Sequence, residues 1–105
     1  MRPIPPSYAT ARAQFLASAS AADSRIDTVD HPRRGLDEEA LAIDVAEVGP
    51  TEAPSAIVIV SGTHGVEGYL GSALQEHHLR HLAEGEVSPA GPTMLFVHAL
   101  NPFGP

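Results

Sequence analysis

The stretch Ala56-Ile57-Val58-Ile59-Val60-Ser61-Gly62-Thr63-His64-Gly65-Val66-Glu67-Gly68 decides how this chain is read. An apolar, largely β-branched run enters a glycine-rich corner, and a helical pattern follows. β-Branched side chains pack well on a pleated surface and lose rotamer freedom in a helix, so Ala56–Val60 reads as a strand. It is apolar on both faces, which predicts a central strand. From Val66 to Ala83 the pattern is helical. Val66, Leu70, Ala73, Leu74 and His77 make one stripe, and Leu79 and Leu82 fall off it, so the buried face is broad. Gly85 and Pro89 end that helix. Gly91-Pro92 leads into a second apolar strand, Thr93 to Ala99, and Asn101-Pro102-Phe103-Gly104-Pro105 reads as a turn. Strand, helix and strand form a βαβ unit with parallel strands. Ligands gather beyond the C-terminal strand ends of such sheets, so the corner at 61–68 and the turn at 99–104 are expected to be neighbours.

Upstream the signals are scaffold. Ser7 can cap a helix in which Tyr8, Ala11, Phe15, Leu16 and Ala19 fall near helical spacing, running to about residue 22. Asp23-Ser24 is a break. Arg25 to Asp30 alternates weakly as a short strand, and His31-Pro32-Arg33-Arg34-Gly35 reads as a turn between proline and glycine. Leu41 to Val48 alternates more clearly. Leu41, Ile43, Val45 and Val48 are apolar while Asp44 and Glu47 are polar, which predicts an edge or antiparallel strand with one solvated face.

Composition narrows the function classes. A chain of 105 residues is one domain at most. Its net charge is −7, from 13 acidic residues against six arginines and no lysine. Nucleic-acid binding needs a basic patch, and Arg33-Arg34 is only a pair, so no nucleic-acid partner is expected. No apolar run approaches the roughly 20 residues of a membrane span, and the N-terminus lacks a secretory h-region, so no membrane partner is expected either. Without cysteine, disulfides and thiolate-bound zinc are excluded, and a cytoplasmic location is the default expectation.

The chemistry sits at the corner. His64-Gly65-Val66-Glu67 places an imidazole and a carboxylate three residues apart across a strand-to-helix turn, and both are zinc ligands at about 2.0–2.2 Å. Gly62 and Gly65 allow positive φ and remove Cβ atoms that would crowd a metal ion. Glu67 near a helix start is favoured as an anion. Spacing alone leaves two readings, a metal pair or a His and a Glu on an exposed loop. The glycines recur every third residue, which is neither a dinucleotide fingerprint nor a P-loop. Ile59 and Thr63 stand where a nucleophile elbow around Ser61 would need glycine. Of the other histidines, His77 and His81 form an i, i+4 pair that could bind metal but is read as a wet helix face, since no third ligand is near, and His98 is read as packed or supporting at a strand end.

Ser61-Gly62-Thr63-His64-Gly65-Val66-Glu67-Gly68, together with Val97-His98-Ala99-Leu100-Asn101-Pro102-Phe103-Gly104, closely resembles the DUF2817 family of zinc carboxypeptidase-like (M14-type) metallohydrolases. Tyr8 to Leu16 and His31 to Val48 look like its N-terminal part. The resemblance implies an α/β fold, the N-terminal part of an α/β/α sandwich around a mixed, mostly parallel sheet, with residues 1–105 one partial domain. It implies that His64 and Glu67 are zinc ligands of an amide-bond hydrolase, carboxypeptidase- or deacylase-like, acting on a small peptide or acyl-amino acid. In the family the third ligand, the substrate-binding arginines and the general base come later. The expectation is therefore that this chain alone hydrolyses nothing. The alternative is a non-catalytic remnant that binds metal weakly or self-associates through an exposed sheet edge. Uncovered apolar surface is expected at Leu95, Val97 and Ile59.

Overall fold

The computed structural model describes residues 3–50, 53–62, 68–84 and 92–101. Its elements in order are α1 (Tyr8–Ala21), β1 (Arg25–Arg34), β2 (Ala40–Val48), β3 (Ala56–Val60), α2 (Gly68–Ala83) and β4 (Thr93–His98). Ser7 caps α1 as its composition suggests, its hydroxyl accepting from the Thr10 amide at 3.2 Å. The four strands form one sheet in the order β1-β2-β4-β3. β1 and β2 pair antiparallel, β2 and β4 antiparallel, and β3 and β4 parallel. The expected mixed α/β sheet and the parallel βαβ pair are both present, but parallel pairing is confined to β3–β4, so the described sheet is mostly antiparallel rather than mostly parallel. No helix among the described residues is long and apolar enough to cross a membrane.

Both helices pack on one face of the sheet. Phe15 and Ala19 of α1, Leu79 of α2, Ala46 of β2 and Phe96 of β4 make the central buried cluster. Ala46 faces Phe96 in register, so both side chains point to the same side. The small residues Ala42 and Ala46 let helix α1 approach the sheet closely, and the aromatic rings fill the remaining space.

Four expectations need correction. The turn expected at His31–Gly35 is strand: β1 runs to Arg34, with an irregularity between Asp30 and Arg34 that accommodates Pro32. Proline has no N–H for the ladder and is tolerated at such a break on an outer strand. The reversal comes after Gly35, whose amide bonds the Glu39 carbonyl at 3.0 Å, with Glu38 at φ 62. β2 is antiparallel as expected but interior, between β1 and β4, and its polar Asp44 lies on the covered face, fully buried. The apolar Ile43 and Val45 point the other way. β3 is the outer strand rather than a central one, with Ile57, Val58 and Val60 exposed. Finally, α2 buries Ser72, Ala73, Gln75, Glu76 and Leu79 and leaves Leu70 and Leu74 about half exposed. The buried polar side chains there each find a partner, which offsets their loss of water.

The opposite sheet face is covered by neither helix. Register places Val29, Ile43, Val45, Val97, Leu95, Val58 and Val60 on it. Val29 and Val58 are 61% and 57% exposed, while Leu95 and Val97 are half-buried. Lack of cover at Leu95 and Val97 therefore agrees with expectation. Ile59 instead faces the helices and packs against the central cluster.

Candidate functional site

The corner is anchored from both sides. At the C-terminal ends of the parallel strands, the Leu100 amide bonds the Ser61 carbonyl and the Asn101 amide bonds the Gly62 carbonyl, both at 2.9 Å. The neighbourhood expected for the segments after β3 and β4 is thus present at Ser61–Gly62 and Ala99–Asn101. Gly62 is required here twice over. Its φ is +68, and a Cβ on it would lie 2.7 Å from the Ala99 Cα. Six residues later α2 begins at Gly68. His64 and Glu67, with Gly65, lie outside the described residues, as do Gly85, Pro89 and the Pro102–Pro105 turn. Among the described residues no group of three or more His, Asp or Glu side chains is placed to hold a metal ion.

Beneath the anchored ends lies a buried polar layer. The Ser61 hydroxyl donates to Gln75 Oε1 at 2.9 Å, and the Gln75 amide donates to the Ile59 and Val97 carbonyls at 2.8 and 3.1 Å. Gln75 thereby ties α2 to both parallel strands just before the corner. Ser72 Oγ sits 2.7 Å from His98 Nε2, and the His98 ring stacks on Phe15 with centroids 4.5 Å apart. His98 Nδ1 is buried without a hydrogen-bond partner. Burial pushes the His98 imidazole down to about 4; Asp44 opposes the shift and Arg12 adds to it. The ring is therefore neutral at neutral pH, and the Ser72 hydroxyl serves as its donor or acceptor according to tautomer.

Next to His98, Asp44 receives two bonds from Arg12, at 2.7 and 3.2 Å, and one from Thr28 at 2.7 Å. Tyr8 completes the wall: its hydroxyl donates to the Ala42 carbonyl at 2.7 Å and accepts from the Ala42 amide at 2.9 Å. Desolvation raises the Tyr8 hydroxyl above its ordinary value, so it stays protonated. Tyr8, Gly62, Gly68, Ser72, His98 and Ala99 enclose a cavity of about 10 Å³, roughly the size of one water.

Of the histidines weighed from sequence, His98 is packed beside the corner as read. His77 and His81 are half-buried, with ring centroids 4.2 Å apart, rather than a fully wet face. Sequence reasoning passed over Ser72, Gln75 and Asp44. The signal available was the recurrence of Ser72, Gln75, Glu76 and Leu79 at helical spacing, a polar stripe beside the leucine stripe.

No curated protein matches this chain. A family model described as a protein of unknown function, DUF2817, matches residues 5–105. That span takes in α1, the whole sheet, the corner and α2, and the chain belongs to the DUF2817 family.

Proposed function

We propose that this chain supplies the metal corner of a zinc-dependent hydrolase of amide bonds, carboxypeptidase- or deacylase-like, whose substrate is a small peptide or acyl-amino acid. His64 and Glu67 are the proposed zinc ligands. The observation that carries the reading is the frame of the loop that bears them. Gly62 and Gly68 bracket it at the C-terminal end of a parallel strand pair, where α/β sheets bind their ligands.

The described surroundings fit a cation. The N-terminal end of α2 favours a carboxylate beside it, which suits Glu67 as an anionic ligand. His98 carries no charge at neutral pH, and Arg12 is neutralised by Asp44. Zinc held there supplies a Lewis acid and an acidified water. The chain's own residues position the ligand loop: Ser61 and Gly62 are fixed to the Ala99–Asn101 segment, and Gln75 fixes both strands to α2.

Calorimetric titration with zinc tests the assignment. Weak binding is expected in the wild type, and the corner's share of it is expected to be lost in His64→Ala and in Glu67→Ala. Sub-micromolar binding retained in His64→Ala would overturn the corner as the zinc site.

A second reading is favoured by one observation, the exposed outer strand β3 with its apolar Ile57, Val58 and Val60. In that reading the chain is a non-catalytic module that binds metal weakly or pairs with its own kind through this edge.

A further inference from the structure

Helix α2 carries three histidines, none of which the corner uses. His77 and His81 lie one turn apart, so their side chains share a face. Their ring centroids are 4.2 Å apart with the planes tilted by 55°. His77 Nδ1 is shielded from water and has no hydrogen-bond partner.

The separation of the rings is informative. Imidazole nitrogen binds divalent transition ions at about 2.1 Å, so two rings at a right angle around one ion have centroids roughly 4.5 Å apart. A tetrahedral angle would open that distance to roughly 5 Å. The observed 4.2 Å is short enough for both rings to reach one ion, and the usual affinity order of divalent ions for imidazole puts Cu²⁺ first. The electrostatics agree. His81 lies in the last turn of α2, where the helix dipole favours a cation. The competing charge of Arg80 is balanced by Glu76, 3.6 Å away.

We propose that His77 and His81 form a second metal site, a helix-borne chelate for a divalent, imidazole-preferring transition ion, with Cu²⁺ and Ni²⁺ ahead of Zn²⁺. Its remaining positions are filled by solvent. The site lies toward the far end of α2 from the corner, roughly 15–20 Å along the helix at 1.5 Å per residue. The two sites can therefore be tested separately.

The experiment is a Ni²⁺ titration of the whole chain by calorimetry, comparing wild type with His81→Gln, His77→Gln and His64→Ala. The expected result is at least tenfold weaker Ni²⁺ binding in both helix variants and unchanged binding in His64→Ala. Ni²⁺ should also raise the melting temperature of the wild type and not that of His81→Gln. His77 is half-buried, so if His77→Gln does not fold, His81→Gln and Cu²⁺ broadening of the wild-type His77 and His81 ring protons decide the matter. Equal Ni²⁺ affinity in His81→Gln and wild type, or loss of binding in His64→Ala alone, overturns the proposal whatever the fate of the zinc corner.

Discussion

His98 has Phe15 stacked on its ring and the Ser72 hydroxyl at its Nε2. Unfolded, its imidazole takes up a proton near pH 6.5; folded, it does so only near about 4. Above the higher value both states are neutral and the group leaves stability unchanged. As pH falls from about 6.5 toward about 4 the unfolded state binds the extra proton, so stability falls with pH across that window. The full loss is about 3 kcal/mol. Urea midpoints measured from pH 7 to pH 4 should show this decline, and His98→Gln should flatten it. The packed character of this histidine was legible from sequence, because it ends an apolar strand. Its partner was not, because a serine on a helix looks the same whether it faces water or a buried ring.

At the scale of elements, α1 is fixed to β2 by the Arg12–Asp44 pair, in which the carboxylate is fully buried and the guanidinium a quarter exposed. Arg12→Ala leaves a buried carboxylate with the Thr28 hydroxyl but without its countercharge. The expected loss is about 3 kcal/mol, in the range for breaking one side of a buried pair. An apolar double replacement, Arg12→Met with Asp44→Leu, should recover most of it. Denaturant melts of the single and double variants check both, and near-wild-type stability of Arg12→Ala would contradict the anchoring role. This pair also explains why β2 was misread. Alternation identified the strand, but a polar residue was assigned to solvent, and Asp44 is buried because a residue 32 positions earlier meets it. Long-range ion pairs leave no local pattern. The same holds for α2, where Leu70 and Leu74 face outward and Gln75 and Glu76 inward against partners supplied by β3, β4 and α1.

For the whole molecule, the element types and the parallel βαβ pair followed from periodicity alone, while strand order did not. β3 was expected to be central because it is apolar on both faces, and it lies at the margin of the sheet with one face uncovered. An apolar margin without a charged residue in Ala56–Val60 is a template for pairing. A groove of about 360 Å³ between α2 and β3, floored by Ile59 and Phe96, adds apolar surface beside it. The chain is therefore expected to self-associate with rising concentration. Val58→Lys, a charge at the middle of that strand, should shift it to monomer in light scattering. A wild type that stays monomeric throughout the concentration series would rule out the edge as an interface.

The paired bonds between Ser61–Gly62 and Leu100–Asn101 join positions about forty residues apart. Loop closure of that length costs chain entropy before any reward is collected, so these bonds form only after β3, α2 and β4 have come together. The corner is thus a late event in folding. If His64 and Glu67 hold the proposed metal ion, its uptake would select finished molecules and could be followed as a clock for the last step of assembly.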